Sequence, residues 1–156
     1  MSLVVEIVQL DQRAKLPTYA HGPEEDAGMD LYALEDTVID SDGYTRCRTG
    51  IAIAIPPGYH GHIRPRSGLA LSYGITCHQG TIDAGYRGEI IVGLISVRNL
   101  ADLLSSTRLQ AGERIAQLVI QKHEQVEWQV RTPEYWNNAI NRTNRGEKGF
   151  GSTGRT

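Results

Sequence analysis

From Leu3 onward apolar residues recur at every second position, and this period does most to narrow the folds open to the chain. It runs through LVVEIVQL (3–10) and through TVIDSDGYTRCRTGIAIAIPPGYHGHIRP (37–65), where Ile51, Ile53 and Ile55 alternate with alanines. Successive side chains on a strand point to opposite faces, so the pattern marks strands with one face buried. DSDGY and PPGY hold the Gly, Pro and Asp of tight turns. RGEIIVGLIS (87–96) and ERIAQLVIQKHEQVEWQV (113–130) continue the series of short strands. The expected class is all-β. SGLALSYG (67–74) is the exception: Ser67 is a preferred N-cap residue and Gly74 a preferred C-cap, which predicts one short helix. TPEYWNNA (132–139) has the composition for another helical turn, with no function resting on it.

A chain of 156 residues suits one compact domain, and with only 6% aromatics its core must come from Ile, Leu and Val. The formal net charge of -2 leaves no broad basic field, which excludes a general nucleic-acid binder and makes any anion site local. Cys47 and Cys77 have no ligand spacing and read as free thiols of a reducing compartment. MSLVVEIVQLDQR lacks the basic start and cleavage site of a secretory leader, and no apolar run reaches membrane-spanning length. A soluble cytoplasmic protein with no membrane partner is expected. Composition divides the chain into a β domain, 1–136, and an arm, 137–156, whose NNAINRTNRGEKGFGSTGRT has almost no core-forming residues and reads as mobile.

Four stretches carry chemistry. GTIDAGYRGEI (80–90) sets Asp83, Tyr86 and Arg87 among three glycines at the entry to an apolar strand. Such glycines mark either a plain charged turn or a place where backbone approaches a ligand, and this stretch alone leaves both open. IRPRSGLA (63–70) joins the Ser67 hydroxyl and the N–H groups of a helix start to Arg66, an arrangement that favours phosphate. DAGMDLYA (26–33) places Asp30 in an apolar strand, where a buried carboxylate needs a partner or a metal; Mg²⁺ with a triphosphate is one arrangement and a solvent-facing edge acid the other. RGEKGFGSTG (145–154) combines glycines, hydroxyls, cations and Phe150, the chain's one Phe, which are parts for wrapping an anion that bears a flat ring. It lacks P-loop spacing. His60 and His62 share a strand face with no third ligand at useful spacing, and a half-exposed face is the better reading than a metal site.

Taken in order, AGMDLYA (27–33), PRSGLA (65–70), GTIDAGYRGEI (80–90), GERIAQLVI (112–120) and RGEKGFGSTG (145–154) resemble the motifs of the trimeric dUTP pyrophosphatases, across nearly the whole chain. The resemblance implies a jelly-roll-type β-barrel and a homotrimer whose sites lie between subunits. Its mobile C-terminal arm would close over nucleotide at a neighbour's surface. It implies Mg-dependent hydrolysis of dUTP to dUMP and pyrophosphate, which keeps uracil out of DNA and supplies dUMP for thymidylate synthesis. Asp83 would hold the attacking water, and main chain near Gly80 would read the uracil edge. Tyr86 would lie beneath the deoxyribose and exclude a 2′-hydroxyl. Arg66, Ser67 and Gly68 would bind the phosphate chain with Gln117 near it. From the arm, Phe150 would stack on uracil, with Gly151 beside it, while Arg145, Ser152 and Thr153 take the terminal phosphate. Asp30 would hold Mg²⁺ through a water. Arg87 and Glu89 fit the motif with an interface or structural role. Cys77 stands where many bacterial relatives carry an asparagine, which leaves base reading to main chain. A dCTP deaminase of the same fold would need a glutamate-based site where this chain has Asp83 and Tyr86, and a non-catalytic dUTP sensor would not need the full set.

Overall fold

The structure, a computed structural model, describes residues 3–39, 44–97, 107–140, 143, 144 and 146. The chain forms two compact units, Met1–Glu124 and Gln125–Thr156.

The first unit is built from antiparallel strands in four small sheets. β1 (Glu6–Gln9) pairs with β5 (Ile51–Ala54), and β3 (Thr37–Ile39) with β10 (Thr107–Leu109). β2 (Met29–Tyr32), β11 (Arg114–Lys122), β6 (Tyr59–Arg64) and β8 (Thr81–Ile82) lie side by side in that order, as do β4 (Tyr44–Arg48), β9 (Ile91–Ser96) and β7 (Ile75–Cys77). The period of two becomes burial directly: β4 alternates exposed and buried residues along its length, with Thr45 and Cys47 inside. Gly58, at φ 84, makes the predicted PPGY turn, a conformation that strains residues bearing a Cβ.

The inward faces meet in one aliphatic core, where Leu31, Ile51, Ile55, Ile75, Leu94, Ile115 and Leu118 are fully buried. Each such side chain contributes roughly 1.5–3 kcal/mol by leaving water. Cys47 and Cys77 lie in the same core as free thiols. Burial pushes both up in pKa, Cys77 to about 11.

The short helix forms where expected, with its start shifted by one residue. α1 spans Ser67–Tyr73; its N-cap is Arg66 at φ −96, ψ 128, and no side chain caps it, so Ser67 is the first helical residue. Gly74 ends it in the left-handed conformation, its N–H bonded to the Ala70 carbonyl at 3.1 Å. β11 stops at Lys122, short of the strand expected through Val130. The described residues place no partner strand beside 123–131, and an unpaired strand has no ladder to hold it.

In the second unit a second helix, α2 (Pro133–Ile140), realises the weak helical composition of 132–139. Thr132 Oγ1 accepts from the Tyr135 N–H at 3.3 Å, and Pro133 occupies the first helical position, where its missing N–H has no bond to lose. Val126, Trp128 and Val130 are 68%, 87% and 92% exposed, a period-two apolar row facing solvent. Among the described residues no helix is long and apolar enough to cross a membrane.

Candidate active site

The turn between β8 and β9 is anchored from below and open above. The Ile63 N–H donates to the Gly80 carbonyl at 2.9 Å, and β8 pairs with β6 through Gly61 to Ile82 and His62 to Thr81. At the far end the Ile90 N–H reaches the Ile51 carbonyl at 2.9 Å while Thr49 Oγ1 donates to the Ile90 carbonyl at 2.6 Å. Glu89 ties the turn to the β4–β5 connection: its carboxylate accepts from Arg48 Nε at 3.1 and 3.2 Å and from the Gly50 N–H at 2.8 Å. Arg87 donates to the carbonyls of Ala84 and Tyr86 at 2.5 and 2.8 Å. Both hold the turn through these contacts.

Above these anchors lies a cleft of about 210 Å³ lined by Ile63, Gly80, Thr81, Ile82, Asp83, Tyr86, Glu89, Ile90 and Ile91. The Asp83 carbonyl accepts from the Tyr86 N–H at 3.0 Å, closing the turn, and leaves the exposed Asp83 carboxylate without a hydrogen bond or ion pair among the described residues. Tyr86 stands at the rim, its hydroxyl donating to the Glu89 carbonyl at 2.9 Å. A cleft with an aromatic wall, apolar sides and an uncommitted carboxylate suits a small polar ligand with a flat or ring-shaped part.

A second cluster gathers at the β2–β11 pairing. Asp30 is 3% exposed, directly opposite Gln117 in register. Arg66 Nε lies 3.0 Å from its Oδ1 and Arg114 Nη1 3.5 Å from its Oδ2. The shorter approach is a charge contact outside hydrogen-bond geometry: Oδ1 is buried and accepts no hydrogen bond from the described residues. Two guanidinium groups offset the charge of a carboxylate that would otherwise be costly to bury. Arg66 also donates to the Arg114 carbonyl at 3.2 Å. The first helical bond of α1 runs from the Ala70 N–H to the Arg66 carbonyl, so the N–H groups of Ser67, Gly68 and Leu69 precede the helical ladder. A Cβ at Gly68 would meet nothing within 4 Å, so this end of the helix is open.

Of the expected site residues, Gly80, Asp83 and Tyr86 line one cleft, while Asp30, Arg66, Ser67, Gly68 and Gln117 fall at or next to the second cluster. No hydrogen bond or ion pair among the described residues joins the two groups. Arg145, Phe150, Gly151, Ser152 and Thr153 lie outside the described residues. Arg114 was not singled out in the sequence reading. A bulge in β11 between Arg114 and Ala116 aims it at Asp30, and an offset of one residue is set by the partner strand rather than by local composition. On the β6 face His60 meets His123, Nδ1 to Nδ1 at 3.2 Å, and packs on His62; among the described residues no group of three or more His, Cys, Asp or Glu is arranged to hold a metal ion.

Comparison with known proteins shows the family. The dUTPase family pattern matches residues 13–154. The chain belongs to the dUTPase family. A deoxyuridine 5'-triphosphate nucleotidohydrolase of Solibacter usitatus is 41% identical over 97% of this chain and 96% of its own length. One of Thermobifida fusca is 47% identical over 96% of this chain and 78% of its own. The fold matches that of a Staphylococcus bacteriophage 80alpha dUTPase mutant solved with dUpNHpp: TM-score 0.81, 28% identity, 97% of this chain and 98% of that one. The mostly β, jelly-roll-like architecture is thus the dUTPase fold, with two helices among the described residues where one was expected.

Cys77 has a clear structural placement. Its side chain is 5% exposed and packs in the core, so it offers nothing to a ligand in the cleft.

Proposed function

We propose that the protein hydrolyses dUTP to dUMP and pyrophosphate in the cytoplasm, at sites completed by neighbouring chains of a homotrimer. The observation that carries this reading is the cleft in which an unpaired Asp83 carboxylate and the Tyr86 ring stand beside the Gly80 main chain. The order of events follows from the residues. Main-chain groups near Gly80 take the uracil edge, and Tyr86 occupies the space that a 2′-hydroxyl needs. Rejection by a rigid ring discriminates through a clash as well as through lost contacts.

Asp83 then orients a water in line with the α-phosphorus. It accepts the proton as the oxygen–phosphorus bond forms and pyrophosphate leaves. Phosphoryl transfer depends mainly on such positioning and on charge stabilisation. Arg66, the open N–H groups of Ser67 and Gly68, and Gln117 supply charge and hydrogen bonds along the phosphate chain.

The donor set fits Mg²⁺ held through water rather than directly. Asp30 Oδ1 is a buried acceptor with no hydrogen bond among the described residues, and no direct ligand cluster is present among them. Asp30 would hold the ion's water shell, and the ion supplies charge neutralisation on the triphosphate. For the arm, 137–156, we propose closure over bound nucleotide. Phe150 would stack on uracil with Gly151 beside it, and Arg145, Ser152 and Thr153 would meet the terminal phosphate. Two features favour a trimer: the two clusters share no polar contact among the described residues, and the row Val126, Trp128 and Val130 is left exposed. The reaction keeps uracil out of DNA and supplies dUMP for thymidylate synthesis.

The test is product release with Mg²⁺ and, separately, dUTP, UTP, dCTP and dTTP. Pyrophosphate from dUTP alone is expected. Ammonia from dCTP would make the protein a deaminase, and dUTP binding without turnover would make it a sensor.

A further inference from the structure

The glycines between Gly80 and Ile90 differ in what surrounds them. A Cβ at Gly85 would meet nothing within 4 Å, and one at Gly80 would come no nearer than 3.9 Å to Ile63. At Gly88 a Cβ would lie 2.6 Å from Tyr86 Cζ and 3.0 Å from Cε2, with the hydroxyl nearer still. Real Cβ atoms do not approach that closely. Gly88 is not among the glycines at positive φ, so the position demands space rather than an unusual backbone. The ring that uses this space is also held from its tip. Its hydroxyl donates to the Glu89 carbonyl, and the Glu89 side chain is gripped by Arg48 and the Gly50 N–H.

We infer that Gly88 is a positioning residue for sugar specificity. The missing side chain at 88 lets the Tyr86 ring lie against the turn as a wall of the cleft, and the Arg48–Glu89 brace keeps it there. The inference rests on the nucleoside reading of the cleft. A methyl group at 88 evicts the ring rather than the backbone, because Tyr86 is 46% exposed and a single hydrogen bond holds its tip. With the ring displaced, the pocket gains room for a 2′-hydroxyl, and the exclusion of ribonucleotide weakens.

The experiment measures kcat/KM for dUTP and UTP in the wild-type protein, Gly88→Ala and Gly85→Ala. The preference for dUTP should fall roughly tenfold or more in Gly88→Ala, the scale on which small steric changes alter substrate choice, and stay unchanged in Gly85→Ala. In a Tyr86→Ala background the clashing ring is gone, so Gly88→Ala should shift the preference less, a coupling read by the double-mutant cycle. An unchanged preference in Gly88→Ala, an equal fall in Gly85→Ala, or strict additivity with Tyr86→Ala would overturn the inference. Should Gly88→Ala fail to fold, Arg48→Ala tests the brace: a weakened preference supports the inference and an unaltered one overturns it. Failure of the wild-type protein to hydrolyse dUTP would instead remove the nucleoside reading itself.

Discussion

In the turn from Gly80 to Ile90 one carboxylate, that of Asp83, is left uncommitted among the described residues while its neighbours hold the turn, whereas around Asp30 the same side chains do both. The Asp83 carboxylate has no polar partner among the described residues, while Glu89, 41 residues from Arg48 in sequence, closes two hydrogen bonds with it. Asp30, Arg66 and Arg114 neutralise one another, and Arg66 is also the N-cap of α1. The turn therefore separates chemistry from stability. The Asp30 cluster couples them, and substitutions there should report on both at once.

The sharpest test of that contrast is Asp83→Asn. Turnover of dUTP should fall roughly 10²- to 10⁴-fold, the usual contribution of a positioned proton acceptor, with the thermal midpoint unmoved. A matching loss of stability would show that the turn is not divided as described. Asp30→Ala should do what Asp83→Asn does not: unfold the protein more readily, by about 3–5 kcal/mol in denaturant titration, because two arginines lose their buried partner. Unchanged stability would break the comparison from the other side.

Glu89→Ala is expected to lie between these two. The Gly50 N–H and Arg48 lose their acceptor, at a cost of about 1–3 kcal/mol. Amide exchange should accelerate in the turn before the rest of the barrel. Uniform acceleration would mean that Glu89 holds the whole domain. The smallest effect concerns Cys77. Its folded pKa, about 11, lies above the ordinary thiol value of 9.0. The unfolded chain therefore loses this proton first, so the contribution is complete below pH about 9 and declines as pH rises toward 11. Cys77→Ala should flatten that decline without altering the choice of base, and a changed base preference would contradict the buried placement of the side chain.

Much of this was legible in the chain because the signals were local. Ile51 and Ile53 are buried positions of β5, Ile55 is buried just past its end, and Gly74 ends its helix as its residue type suggests. Asp30 was legible as a carboxylate in need of a partner, since its neighbours are apolar. Its partners were not, because Arg114 reaches it through a bulge fixed by β2. The N-cap lies at Arg66 rather than Ser67 for a related reason: the cap residue is set by backbone dihedrals, in a residue also paired with Asp30. Nor does any local rule distinguish Gly88 from Gly85. Only the folded position of the Tyr86 ring does so.

The central claim is that the Asp83 cleft of one chain works with the Arg66 cluster of another. The direct measurement is dUTP hydrolysis by trimers assembled from two inactive variants, Asp83→Asn and Arg66→Ala. Sites that join an intact cleft from the Arg66→Ala chain to an intact cluster from the Asp83→Asn chain should restore pyrophosphate release well above either parent. Activity that stays at the sum of the two parents would contradict the account and confine each site to a single chain.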